Sequence, residues 1–189
     1  IGSPVIGGLI VLTIVPFLFG QTINTLIPAF NADVLHGGPD DLGILMAAMG
    51  IGSIAGALVL TKLGDLRNKG AWLFITLVLW GFFLSAFSIS GTVMLAIITL
   101  GVVGFISAIN LSMNRSILTL RVEPRMRGRI MSIDMMTHGV MPLGLLPISF
   151  VAEKASIEAG LALSGALLVI TTIGMWFWLK QVRNIDKGF

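Results

Sequence analysis

Residues 70–114 read GAWLFITLVL WGFFLSAFSI SGTVMLAIIT LGVVGFISAI NLSMN, and no Asp, Glu, Lys or Arg lies between Lys69 and Arg115. A helix needs about 20 residues to cross a hydrocarbon core of about 30 Å. The stretch is too long for one crossing and fits two, with Ser88-Ile89-Ser90-Gly91-Thr92 as the tight turn between them. Working outward, a second helix covers Leu42 to Thr61, closed by Lys62 and Gly64-Asp65. The run from Ile1 to Ala32 predicts one long helix that ends near Phe30, before the Gly37 to Pro39 turn signal. Beyond Arg115, spans run from about Ile130 to Val151 and from about Leu161 to Leu179, separated by Glu153-Lys154. The expected class is an all-α membrane protein with six transmembrane helices.

Composition agrees: 56% of residues are apolar and 11% charged, against about 25% charged in soluble domains. With no cysteine, neither a disulfide framework nor a thiolate metal site is available, and no metal or cofactor is expected. The chain begins at Ile1 with no basic segment before the first apolar run. On this reading the first run is not expected to be a secretory signal peptide, and the chain is expected to be a fragment whose N-terminal part is missing.

A net charge of +3 fits nucleic-acid binding or basic loops at membrane ends equally well, and the positions of the charges decide between them. Lys62, Arg67 and Lys69 lie between the second and third spans. Arg121, Arg125, Arg127 and Arg129 lie between the fourth and fifth, and Lys180, Arg183 and Lys187 form the tail. Alternation puts all three groups on one side, while Lys154 stands on the other among Asp33, Asp40, Asp41, Glu153 and Glu158. Retention of Lys and Arg in cytoplasmic loops predicts a multi-pass protein of the cell (inner or plasma) membrane with both fragment ends cytoplasmic. Trp72, Trp176 and Trp178 fall near that interface, and nucleic acid is not an expected partner.

Divided near Ser90, the chain gives two three-helix units of opposite membrane orientation, residues 1–90 and 91–180, followed by a cytoplasmic tail, 181–189. Inverted three-helix repeats recur in secondary transporters, with the substrate site at the repeat interface. Two segments carry a family resemblance. Gly52-Ser-Ile-Ala-Gly56 with Lys62-Leu-Gly-Asp65-Leu-Arg67-Asn-Lys69 resembles the signature that joins the second and third helices in the major facilitator superfamily, with Leu66 and Asn68 where a basic residue and Gly are usual. Glu123-Pro-Arg125-Met-Arg127-Gly128-Arg129-Ile-Met-Ser132 is similar to the Pro-x-x-Arg-Gly-Arg segment of the branch that contains macrolide and enterobactin-type siderophore exporters, and Pro142-Leu-Gly144 follows it. The resemblance is to the C-terminal six helices of twelve. It implies a missing N-terminal six-helix half, alternating access, proton-coupled export of a small amphipathic molecule such as a drug or siderophore, and a cytoplasmic latch of Asp65 with Arg67, Lys69, Arg127 and Arg129.

Several polar residues within the spans are candidates for such work. Arg115 and Asp134 lie at matching depth inside the loop charges Arg121 and Arg129. They fit an intramembrane ion pair or, equally, side chains snorkelling to the interface. His138 follows Asp134 by four residues, and Met131 and Met141 share the stripe, so the helix offers a titratable, Met-rich face for proton coupling or a hydrogen-bonded packing histidine. Gln21 and Asn24 in the first helix, and Ser107, Asn110 and Asn114 in the fourth, form polar stripes that suit substrate contact or interhelical hydrogen bonding. Helices three and six carry few such residues, which predicts that one, two, four and five line the cavity.

A non-transporting six-helix receptor or scaffold is the alternative function. An intramembrane protease has weak support, because Ala162-Leu163-Ser164-Gly165 lacks the first Gly of the nucleophile motif and no His follows it. No His-Glu-x-x-His, Gly-x-Ser-x-Gly or phosphate-loop pattern occurs, and the chain is not expected to be an enzyme.

Overall fold

A computed structural model describes residues 4–63 and 68–183. Among these residues six helical segments are long and apolar enough to cross a membrane: Val5–Asp33, Pro39–Lys62, Lys69–Ser88, Val93–Arg121, Pro124–Lys154 and Ile157–Trp178, called spans 1 to 6 below. Spans 2, 3, 4 and 6 are each one α-helix, respectively α3 (Pro39–Leu63), α4 (Lys69–Ser88), α5 (Val93–Arg121) and α8 (Ile157–Trp178). The turn expected at residues 88–92 separates α4 from α5, and the Thr92 hydroxyl caps α5 by accepting from Leu95 N at 3.3 Å.

Span 1 differs from expectation. It is two helices, α1 (Pro4–Val15) and α2 (Ile23–Asp33), joined through a π-helical turn at Pro16–Gly20. Pro16 has no N–H to bond the preceding turn and its ring crowds that turn, so the chain widens, and Gln21 N donates to Pro16 O at 2.8 Å across five residues. A widened turn inside a bilayer needs other donors, because an unsatisfied carbonyl in hydrocarbon costs several kcal/mol. Two hydroxyls supply them: Thr22 Oγ1 donates to Phe19 O at 2.6 Å, and Ser164 Oγ of span 6 bonds the same carbonyl.

Span 5 is also interrupted. Helix α6 (Arg127–Met136) passes through a 3-10 turn at Thr137–Val140 into α7 (Met141–Lys154). Pro142 cannot donate to the His138 carbonyl, and Met141 N takes that acceptor in the tighter turn instead. A short helix α9 (Lys180–Arg183) ends the described chain.

Spans 2 and 4 make the most extensive pairing, spans 3 and 6 the next, and span 5 lies against span 6 and the π turn of span 1. Backbones touch where spans 2 and 4 cross. A Cβ on Gly52 would overlap the Gly101 carbonyl, one on Gly104 the Met49 carbonyl, and one on Gly56 the Phe105 carbonyl. Without a hydrophobic drive between helices in lipid, such close approach is what holds them together. At one end of the bundle Val182 of α9 sits against both Gly8 and Gly70, so the start of spans 1 and 3 and the end of span 6 meet there. The basic residues of Lys69, Lys180 and Arg183 share that end.

The crossing generates a paired expectation. Gly52→Val, measured by thermal unfolding in detergent, lowers stability by about 1–3 kcal/mol or more through overpacking. Gly50→Ala on the same helix, where nothing lies within 4 Å of the added methyl, leaves it unchanged or raises it by about 0.5–1 kcal/mol.

Candidate functional site

The two interrupted spans meet. Gly144 of α7 abuts the Leu18 carbonyl inside the π turn, and the His138 ring lies 4.1 Å from that of Phe17, tilted by 44°. Each interruption brings a polar side chain beside backbone that departs from α-helical geometry within the membrane-spanning region, an arrangement that binding sites of discontinuous helices exploit.

Arg115 of α5 and Asp134 of α6 are in contact, with Arg115 Nε donating to Asp134 Oδ2 at 3.3 Å. The pair is lopsided: the Asp134 side chain is 4% exposed and that of Arg115 48%. Asp134 Oδ1 is buried without a partner among the described residues. A buried carboxylate oxygen with no donor is a costly arrangement unless a proton, a water or a rearranged neighbour satisfies it.

His138 does not share this face. The 3-10 turn shifts the helical register, leaving Asp134 buried and His138 exposed, and the ring's Nδ1 lies 3.1 Å from Met135 O. A carbonyl only accepts, so the bond forms in the tautomer that carries its hydrogen on Nδ1. The expected continuous stripe from Met131 through Asp134 and His138 to Met141 is therefore broken, with both methionines half-buried.

The polar stripes also separate. Asn110 is fully buried, and its amide donates to Leu73 O at 2.9 Å and Thr76 Oγ1 at 2.8 Å, bonding span 4 to span 3. Asn114 donates to Leu9 O at 3.3 Å and Thr13 Oγ1 at 3.0 Å, bonding span 4 to span 1. Ser107 is buried on its own turn, donating to Gly104 O at 2.9 Å. These three face packed interfaces rather than an open cavity, because an amide in a dry interior is held by the nearest carbonyls. Gln21 and Asn24 do lie on accessible surface, where Asn24 Nδ2 donates to Gln21 Oε1 at 2.6 Å. That leaves the Gln21 amide nitrogen and the Asn24 carbonyl oxygen for other partners.

Of the expected latch, Asp65 and Arg67 lie outside the described residues. Lys69 opens α4 and is engaged in an interaction, Arg129 is exposed, and Arg127 is exposed with its Nε 3.4 Å from Val122 O. The sequence reading missed the seal of Thr22, Ser164 and the Phe19 carbonyl, and the Phe17–His138 contact. Pro16 within an uncharged run and Pro142 four residues after His138 are the signals that point to them. Ser164, the nearest approach to a protease nucleophile, is fully buried and committed to backbone.

The family described as transmembrane secretion effector matches residues 2–187. The staphyloferrin A transporter of Staphylococcus aureus (strain NCTC 8325 / PS 47) is 26% identical over 164 residues, covering 87% of this chain and 41% of that protein. The multidrug efflux pump Tap of Mycolicibacterium fortuitum is 22% identical over 165 residues, covering 86% of this chain and 39% of that protein. The chain thus spans about two fifths of the length of the curated relatives it matches.

Burial sorts the amides by role. Asn110→Ala lowers the unfolding free energy in detergent by about 1–2 kcal/mol. Asn24→Ala changes it by less than about 0.5 kcal/mol, and an equal loss from both substitutions would overturn the assignment of Asn110 to the helix interface.

Proposed function

Because the chain belongs to the transmembrane secretion effector family, within the major facilitator superfamily, we propose that it is the C-terminal half of a proton-coupled exporter of small amphipathic molecules. In this reading the half rocks against an N-terminal six-helix partner to expose a shared cavity alternately to the two sides of the cell membrane. The relatives' own names, a transporter of staphyloferrin A and a multidrug efflux pump, favour export of a small molecule over a receptor or scaffold role.

The observation that carries the coupling step is the buried Asp134 carboxylate, held on one oxygen by a half-exposed guanidinium and on the other by nothing among the described residues. Protonation neutralises the buried charge, gives Oδ1 a hydrogen to donate and weakens the hold of Arg115. Arg115 is then free to meet an anionic or polar group of the substrate, and loss of the proton on the opposite side restores the pair. His138 beside Phe17, with Gln21 and Asn24 on the adjoining turns of span 1, supplies polar and aromatic contacts for that substrate, and Met131 and Met141 supply adaptable apolar ones.

Further elements complete the proposal. The three-helix units 1–90 and 91–180 are inverted repeats. This is supported by the close crossing of spans 2 and 4, which has its counterpart in the contact of span 5 with span 1, and by the mutual contact of Gly81 and Gly165 between spans 3 and 6. The missing half docks on α3 and α7, the least buried spans, where Ile51, Ile54, Leu143 and Leu146 all stand well exposed. Asp65 with Arg67 and Lys69 latches the cytoplasmic side against the Arg127 and Arg129 end of α6, and both ends of the chain are cytoplasmic.

The decisive measurement is uptake by the full-length protein in proteoliposomes under an imposed pH gradient. Asp134→Asn, nearly isosteric, is expected to reduce gradient-driven transport to the rate seen without a gradient, and transport that the substitution leaves untouched removes Asp134 from coupling. Asp65→Asn is expected to shift spectroscopic distance distributions toward the conformer open to the cytoplasm. Unchanged distributions eliminate the latch.

A further inference from the structure

Spans 3 and 6 enclose a groove that the transport reading does not use. α4 and α8 touch at Gly81 and Gly165, and between that crossing and the basic end of the bundle they leave an apolar groove of about 340 Å³. Its floor is closed: Phe74 and Thr172 are 2% and 0% exposed, and the Thr172 hydroxyl is turned to Leu168 O at 2.6 Å, so the surface offered is hydrocarbon. Its rims are Ile75 and Leu79 on one side, Ile173 and Phe177 on the other, all exposed and all apolar.

At the basic end the groove terminates on Trp176. Phe74 meets its ring edge-on at 5.3 Å, and the Arg183 guanidinium carbon lies 5.0 Å from the ring centroid. A cation is therefore held on the same indole that lines the groove. Lys180 begins the same short helix, and Gly70, next to Lys69, packs against the Val182 and Arg183 carbonyls. Trp72 and Trp178, both exposed, flank this end as interfacial tryptophans do.

A dry slot that runs along the membrane-spanning helices and ends in clustered cations has the chemistry of one ligand class. We propose that this groove binds an anionic phospholipid, one acyl chain lying over Phe74 and Thr172 and the headgroup phosphate meeting Arg183 and Lys180. The all-apolar lining suits an acyl chain, and the cations at its end suit an anionic headgroup. Basic residues next to apolar crevices at the membrane interface attract anionic headgroups. The site depends only on the protein being embedded in a membrane, not on proton coupling or the direction of transport.

The test uses the full-length protein and two lipids with the same acyl chains, phosphatidylglycerol and phosphatidylcholine, with retained lipid counted by native mass spectrometry. Wild type is expected to retain phosphatidylglycerol preferentially. The double variant Arg183→Gln/Lys180→Gln reduces that preference about tenfold or more, at about 1 kcal/mol for each charge. Val78→Trp, which fills the groove without touching the charges, reduces retention of both lipids. Equal retention of the two lipids by wild type, or retention indifferent to Val78→Trp, overturns the proposal. Should Val78→Trp fail to fold, a phosphatidylglycerol with a photoactivatable acyl chain decides on wild type: labelling of α4 and α8 within 74–79 and 172–177 supports the site, and labelling confined elsewhere overturns it.

Discussion

A backbone carbonyl left bare in hydrocarbon costs several kcal/mol, and the break in span 1 is arranged around that constraint. Pro16 breaks the hydrogen-bond ladder of span 1 in mid-membrane, and the Phe19 carbonyl is closed again by Thr22 from its own turn and Ser164 from span 6. The Thr22 and Ser164 hydroxyls are themselves 2.6 Å apart, so the repair ties the break to a neighbouring helix. Without it span 1 would have to run straight, Leu18 would not meet Gly144, and Phe17 would not reach His138. The meeting of spans 1 and 5 thus follows from a backbone defect and its repair.

The buried amides answer the same constraint through their NH2 groups, while their own Oδ1 atoms have no partner among the described residues. Asn110 and Asn114 each reach a backbone carbonyl and a threonine hydroxyl on another span. In water such bonds replace equivalent ones to solvent; in a bilayer they are among the few directional forces between helices. They fix span 4 against spans 3 and 1, and from that fixed span Arg115 reaches across to Asp134 in span 5.

The six crossings were legible because charge punctuates the chain: Lys62, Lys69, Arg121, Glu153 and Lys154 stand at span ends, and no other physical reason places them so regularly. Family membership was legible in the Arg127-Gly128-Arg129 segment. What the sequence hid was direction around each helix axis. In a soluble helix polar residues mark the outer face, but lipid and protein interior are equally apolar, so the stripe of Ser107, Asn110 and Asn114 carried no sign of whether it faced a cavity or a neighbour. The interruption after Asp134 was hidden differently. Pro142 lies four residues past His138, and its effect on the preceding turn moved His138 off the buried face that a regular helix would have given it.

Spans 2 and 4 touch through backbone at Gly52, Gly56 and Gly104, and Ser53 Oγ adds a bond to the Gly104 carbonyl at 3.2 Å. Side chains let packed helices slide, because each can change rotamer as its neighbour passes; two backbones in contact have nothing to rearrange. At these crossings the pair has little room to slide, and the rest of the bundle is mounted on it. Deformation is left to the segments that are already jointed, at Pro16–Gly20 and Thr137–Val140, so the bundle is a rigid beam carrying two elbows.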